Sequence, residues 1–583
     1  MAQTTTWRAR RINYIHRVHA RRAARTPMAT VFVSPPEPRM IGIVAKGRQL
    51  MTGNFLFSGL LVEGPHLSVW DIAHANALVA DEIHRCAWLD DLAAVGDEQA
   101  RVRAQKWIFQ WIKRYGDGKG PGWTPDVVGP RLIRWINHGV FLLRGQDHDA
   151  MGSFFQSAAQ QALFLSQRWH ATPHGLPRFE ALVGMIYAGL SLDGMAGHVD
   201  AAVQALAADC ATQIDADGGI ATRNPDELLE ILTLLNATVQ ALTDTGGQVP
   251  QRIDAAITRI VPTLRALRHA DGALARFHGG GRGIMGRLDQ ALAASGVKAL
   301  PEAGLHMGFA RLTGGRTSVI VDAAAPPTGE ASDNAHASTL AFELTSGRRP
   351  LIVNCGSGAR FGDEWHRASR ATPSHTTLGI AGVSSSRLAS PARLLAQQEW
   401  LLDVPDVVYG HMSDADGDRK LELSHNGYRA RHGLTHARIL QLSVDGRRLL
   451  GEDLLATLNP DDEARFDKVR DRTTPPGIPF AIRFHLHPDV EAMLDDADGA
   501  VFLTLKSGEV WVFRDDGAAE LTLAPSVYLQ NGRLRPHGAQ QVVLSGRTMA
   551  YATRVRWSLA KALDTPQAVR DLVRGDPLDS DID

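Results

Sequence analysis

The feature that most constrains this chain is a change of hydrophobic period near its midpoint. From about residue 65 to 270 the apolar residues recur at helical spacing. Within 131–143, Leu132, Ile133, Trp135, Ile136, Val140 and Phe141 fall on one face, and within 226–242 Leu228, Ile231, Leu232, Leu235, Val239 and Leu242 do the same. Comparable stretches at 72–94, 98–114, 149–168, 179–191, 199–214 and 251–267 are separated by short Gly, Pro and Asp turns. Consecutive helices of this length bury their stripes against one another as a bundle, solenoid or toroid. No fixed sequence period is present, which disfavours a short-repeat array. After about residue 305 the period becomes two: Leu340, Phe342 and Leu344 alternate with smaller or polar residues, as do Phe480, Ile482, Phe484 and Leu486. Asp445-Gly446 between two apolar runs signals a hairpin, and further strands read at 317–322, 350–354, 376–380, 420–424, 501–513 and 540–545. Strands that follow helices, rather than alternating with them, predict an α+β chain of segregated domains, the second a large antiparallel sandwich.

The domain boundaries expected are a basic N-terminal segment 1–60, a helical domain 61–300, a sandwich domain 301–565 and an acidic tail 566–583. With 44% hydrophobic and 21% charged residues among 583, the chain has ample core material. Its net charge of -1 gives no global basic field for nucleic acid. Cys86, Cys210 and Cys355 lie far apart, which excludes a disulfide framework, and no apolar run is long enough to span a membrane. Residues 1–27 hold seven arginines and no acid. No apolar core follows them as in a secretory signal, so the chain is expected to be cytoplasmic. The segment reads as a helix lying on the first domain with solvated arginines, or as a basic amphipathic helix at a membrane or nucleic acid.

No P-loop, dinucleotide fingerprint, HExxH or GxSxG motif occurs. Three segments stand out: Asp333 to Leu344 with His336, Leu351 to Gly356 with Asn354, and Arg370 to Thr377 with His375. Neighbouring strands would bring the two histidines and the Asn together, either to ligate a metal and exchange protons or as a buried polar network. His485 and His487, and the group His425, His432 and His436, read as solvated polar faces.

Those three segments resemble the C-terminal β-domain of the heparinase II/III family of polysaccharide lyases. Trp123-Thr-Pro, Arg131, Trp135 and the Asp217-Gly-Gly turn before Arg223-Asn224-Pro225 extend the resemblance into the helical half, over about residues 70–560. The resemblance implies an incomplete (α/α) toroid followed by an antiparallel β-sandwich. It also implies a carbon–oxygen lyase that cleaves an acidic, uronate-containing polysaccharide by β-elimination. In that chemistry a positive or hydrogen-bonding group neutralises the uronate, a base removes the C5 proton, and an acid protonates the leaving oxygen. The family's usual Tyr falls on Glu227, and the first His of its β-domain motif on Asn334. Of the family's zinc-binding positions in the sandwich, His336 and His375 are kept and the Asp is Asn354. The site expected on this basis uses Arg223, Glu227 and His336 in catalysis, with His278 a further proton partner. Trp123, Arg131, Trp135, His138 and Asn224 would bind substrate. The alternative is a catalytically altered member that binds a glycan without cutting it. A homodimer and, by family resemblance, an envelope or periplasmic location stay open.

Overall fold

The computed structural model describes residues 7–25, 31–34, 42–73, 76–380, 382–389, 399–415 and 417–562. The acidic tail 566–583 lies outside them. Most helices lie between Trp7 and Ala294, with Asp363–Arg370, Arg429–His432 and Pro460–Arg470 set among the later strands, and the strands start at Phe309 apart from one hairpin, Asn54–Phe57 with Leu60–Glu63.

The helical periodicity is realised nearly stretch for stretch. Glu98–Tyr115, Pro125–Asn137, His148–Arg168, Leu176–Ser191, Val199–Gln213, Pro225–Asp244 and Gln251–Ala266 are all helices. Their apolar stripes merge into one core that includes Trp88, Trp107, Trp111, Trp123 and Trp135. Starts are encoded locally. Proline stands at the first or second position of Pro125–Asn137, Leu176–Ser191 and Pro225–Asp244, where its missing N–H costs nothing. Glycine sets the spacing of the helices Pro125–Asn137 and Leu176–Ser191. A Cβ on Gly184 would lie 2.7 Å from the Gly129 carbonyl oxygen.

The second half is two eight-stranded antiparallel sheets. One runs, in spatial order, Val408–Ala415, Asp418–His425, Thr435–Leu442, Arg448–Ala456, Ala552–Lys561, Val510–Asp515, Ala500–Thr504 and Glu491–Asp495. The other runs Glu520–Tyr528, His537–Thr548, Ile478–Leu486, Arg349–Val353, Phe342–Ser346, Thr317–Asp322 and Phe309–Gly314, with Leu378–Ile380 also paired to Ile478–Leu486. Their inner faces share one core. Phe342 and Trp557 stack across it at 5.9 Å, and Phe484 meets Phe513 at 4.8 Å. Asp445-Gly446 does turn a hairpin, pairing Thr435–Leu442 with Arg448–Ala456. The single strand expected over 501–513 is two, broken by a turn at Gly508.

Several expected surfaces are interior. His485 and His487 are buried, because the 373–377 segment and Ser526 cover the second face of their strand. His425, His432 and His436 are buried too. His436 bonds Asp453 at 2.7 Å, and Asp453 also takes Arg438 and the Trp557 indole. A run of histidines on alternate strand positions looks polar in sequence but is core when both faces of the strand are covered.

Candidate functional site

Where the two domains meet, the helical wall is built from helix starts and the sandwich wall from strand ends. Asn224 caps the helix Pro225–Asp244: its Oδ1 accepts from the N–H groups of Asp226 and Glu227 at 3.0 and 3.4 Å. Glu227 then accepts from Thr222 Oγ1 at 2.7 Å and Asn224 Nδ2 at 3.2 Å. Asn224 is therefore a capping residue, and the substrate contact expected of it is replaced by this bond set.

Around Glu227 the wall is crowded with carboxylates. Asp126 and Glu180 come from the neighbouring helix starts, Asp226 and Glu230 from the same helix, and Asp81 and Glu82 from the helix Ala77–His84. Asp81 and Glu180 each feel Asp126, and Glu227 and Glu230 each feel Glu180 and Asp226. Burial is the largest cause in each case: it pushes Glu227, Asp226 and Glu180 above the usual carboxylate range, Asp81 to about 6 and Glu230 to about 7. The arginines among them are each engaged by a carboxylate: Arg85 by Glu180, Arg134 by Asp90, Arg287 by Glu230 and Arg360 by Glu82.

Arg223 faces away from this wall. It adopts a positive φ of 51° and spreads its guanidinium over five acceptors: the carbonyls of Met307, Gly308, Ala324 and Ala325, and Asp322 Oδ1 at 2.7 Å. Gly308 is glycine because a Cβ there would stand 2.7 Å from the guanidinium. Asp322 is fully buried, with Ser338 Oγ donating to its Oδ2 at 2.7 Å and His278 Nε2 3.4 Å away. Burial alone would raise its pKa, yet Arg223 and His278 outweigh this and hold the carboxyl well below the usual range. This pair joins the helical domain to the sandwich.

His336 is buried in the sandwich wall, and Asn334, two residues before it, is exposed. The histidines form a relay. His375 Nδ1 bonds the Ala371 carbonyl at 2.9 Å, so its Nε2 accepts from His336 Nδ1, also at 2.9 Å. The His336 backbone N–H donates to His278 Nδ1 at 3.2 Å. Burial drives His336 well below its ordinary pKa and His375 to about 4, so both rings are neutral near pH 7. His336 and His375 are thus brought together, but as partners of each other. Asn354 Oδ1, the third donor expected for zinc, instead accepts from Thr376 N–H at 3.0 Å. Two neutral imidazoles and an amide turned elsewhere do not fit a zinc centre, which needs anionic or several imidazole donors. Among the described residues no three His, Cys, Asp or Glu side chains gather in a metal-binding group.

The remaining expected binding residues lie inside the helical core. Trp123 and Trp135 are 2% and 0% exposed, leaving no face for a sugar to stack upon. Arg131 is fully buried, 4.1 Å from the Trp111 ring centroid, and donates to Gln161, His84 and Gly122. His138 is buried against Asp90 at 2.9 Å. Their helix reads as a cleft wall only if its apolar stripe is taken for a binding surface. Sequence reasoning missed the carboxylate wall: the repeated cap-Pro-acid pattern Thr124-Pro125-Asp126 and Asn224-Pro225-Asp226 marks two of its helix starts but not that they meet. It also missed Asp322, which follows the apolar run Val319-Ile320-Val321 at the end of its strand.

Comparisons with known proteins agree with this architecture. The family described as heparinase II/III-like, C-terminal, matches residues 297–558. The crystal structure of heparinase III superposes with a TM-score of 0.68 at 14% identity, over 94% of this chain and 90% of that one. A mutant of heparan sulfate lyase HepC from Pedobacter heparinus gives 0.56 at 15% identity, over 94% and 88%. FtsZ-localized protein C of Caulobacter vibrioides is 32% identical over 535 residues, 91% of this chain and 90% of its own length. On a match that spans both domains in sequence and in fold, this chain belongs to the heparinase II/III-like family.

Proposed function

We propose that this chain is a non-lytic member of its family that acts at the cell-division machinery. The observation that carries the reading is the carboxylate wall. β-Elimination from a uronate needs the substrate carboxylate neutralised before its C5 proton becomes acidic enough to remove. A wall bearing Asp81, Glu82, Asp126, Glu180, Asp226, Glu227 and Glu230, whose arginines already hold carboxylates, repels a polyanion and offers it no counter-charge. Arg223, the neutraliser available by position, holds Asp322 and four carbonyls instead. Any saccharide accepted here is neutral or cationic. The division setting is supported by the relative whose name places it with FtsZ and which aligns over nine-tenths of both chains.

One observation favours a second reading, a lyase with a rearranged site. Burial keeps Glu227 inclined to hold a proton, as a general acid requires. The two are separated by incubating purified protein with a panel of uronate polysaccharides while following the ultraviolet absorbance of unsaturated uronate, and by sedimenting it with FtsZ polymers. The proposal expects no absorbance rise and co-sedimentation. A rise that disappears in Glu227→Gln supports the lyase reading. Failure to co-sediment overturns the division role.

A further inference from the structure

Helix Trp7–Ala23 is packed on one side only. His16, Ala20 and Ala23 are buried, and the helix lies on His148–Arg168. Gln160 Nε2 donates to the Ala20 carbonyl at 3.1 Å, Arg168 Nε donates to His16 Nδ1 at 3.2 Å, and His19 meets Gln167. These contacts fix the rotation of the helix, and therefore what it shows to solvent.

The outward side is not simply polar. Trp7, Tyr14 and Val18 lie seven and four residues apart, two turns and then one, and so form a single stripe. Trp7 is 74% and Tyr14 68% exposed. Arg10, Arg17 and Arg21 flank this stripe on one side and Arg11 and Arg22 on the other, all exposed. Residues 1–27 themselves contain no acid, and from outside the segment Asp117 acts on Arg21. A solvated helix needs no aromatic stripe, and leaving two large rings in water carries a cost that a buried location would remove. Amphipathic rings bordered by arginines on both sides match the boundary between acyl chains and headgroups. There the rings enter the apolar zone, and the long arginine stems let the guanidinium groups reach the phosphates.

We infer that the outer face of Trp7–Ala23 docks the folded protein on an anionic phospholipid surface, peripherally and with the helix parallel to the bilayer. No helix among the described residues is long and apolar enough to cross a membrane, so any attachment through helices is of this lying type. A nucleic-acid duplex would satisfy the arginines but leave Trp7 and Tyr14 without a role, which is why lipid is favoured.

The test is flotation of the full-length chain with vesicles containing about one-third phosphatidylglycerol in phosphatidylcholine, beside pure phosphatidylcholine vesicles and a DNA duplex. The expected result is binding to the anionic vesicles alone, weakened by salt. Trp7→Ala with Tyr14→Ala should reduce it about tenfold or more. Arg11→Glu with Arg17→Glu should abolish it. Because these side chains point outward, the variants should keep the wild-type melting temperature, which separates lost docking from lost folding. No binding to anionic vesicles overturns the inference. So does vesicle binding that Trp7→Ala/Tyr14→Ala leaves unchanged, or binding to DNA alone.

Discussion

The two walls of the domain junction respond to burial in opposite directions. On the helical wall burial raises carboxylates, bringing Asp81 to about 6 and Glu230 to about 7. On the sandwich wall it lowers imidazoles, bringing His375 to about 4 and His485 to about 3 and holding His336 well below its ordinary value. The cause is the same, since a low-dielectric setting disfavours whichever form is charged. The consequence is that near neutrality the imidazole wall is uncharged, while the carboxylate wall ionises at higher pH than usual yet stays acidic, and the permanent charges between them sit in ion pairs. Among the described residues two such pairs cross the junction. Arg223–Asp322 is buried, with side chains 10% and 0% exposed, and Arg360–Glu82 is at 42% and 21%. A cleft built in this way is a joint before it is a reaction vessel.

The largest effect should come from breaking the buried crossing. Asp322→Asn leaves Arg223 charged and without its carboxylate, and weakens the Ser338 and His278 contacts as well. Removing one partner of a buried pair costs about 3–5 kcal/mol. Denaturant titration should show that loss. Far-ultraviolet ellipticity and tryptophan fluorescence, coincident in the wild type, should separate as the domains lose their joint. A loss below about 1 kcal/mol with coincident transitions would mean that apolar packing, not this pair, unites the walls.

The imidazole wall should dominate the acid side of the stability profile. Below pH 6.5 the unfolded chain binds protons that buried His375 refuses. Stability is therefore flat above 6.5, falls as pH falls toward about 4, and levels below it. At 1.36 kcal/mol per unit, His375 alone accounts for a loss of about 3 kcal/mol. Asp322 does not contribute in that window. Its folded pKa lies well below the usual range, so its stabilisation is lost only in stronger acid. Melting temperatures measured from pH 7.5 to 4 in wild type and His375→Gln should diverge near neutrality and converge in acid.

The architecture was legible in the sequence because periodicity reports which face of an element is buried, and both halves have long, regular elements. The strand at Thr317–Asp322 and the helix at Pro225–Asp244 fall where the pattern puts them. The cap at Asn224 is equally local, a contact between residues two and three apart, although the residue was expected to bind substrate. The site was much less so. Residue types at Arg223, His336, Trp123 and Arg131 suggest chemistry, but direction decides their roles, and direction is set by partners far along the chain. Arg223 turns to acceptors 84 to 102 residues away, and His336 to a ring 39 residues away. Nor can a pattern show that seven carboxylates from four helices converge, since each looks alone like an ordinary acid near a helix end.

A smaller effect should sharpen the contrast between the walls from the other side. Glu230 loses its proton near pH 4.5 when unfolded but holds it to about 7 when folded. The fold therefore gains from this group below 4.5 and loses that gain as pH rises toward 7, the reverse of His375. The Glu230 side chain is 30% exposed and paired with Arg287, which limits the swing to about 1 kcal/mol. Because this slope opposes that of His375, Glu230→Gln should gain up to about 1 kcal/mol relative to the wild type as pH rises from 5 to 7. A parallel profile would place Glu230 in effective contact with water and remove it from the set of buried carboxylates.

The smallest effect should belong to the exposed crossing. Glu82 accepts from Arg360 at 3.1 Å and from the Ser58 hydroxyl and backbone N–H, at the rim where the sandwich touches the first hairpin. Exposed pairs contribute about 0–1 kcal/mol, because water already solvates both charges and holding two long side chains costs entropy. Glu82→Gln keeps the shape and one acceptor oxygen, so its penalty should stay under about 1 kcal/mol and shrink further in high salt, while that of Asp322→Asn is nearly salt-independent. A double-mutant cycle joining Glu82→Gln to Asp322→Asn asks whether the crossings act separately. They share no partner, so the penalties should add within about 0.5 kcal/mol. A coupling beyond that would mean that once the buried pair is gone the rim pair carries the joint, and the two walls are held by one cooperative contact instead of a strong one and a weak one.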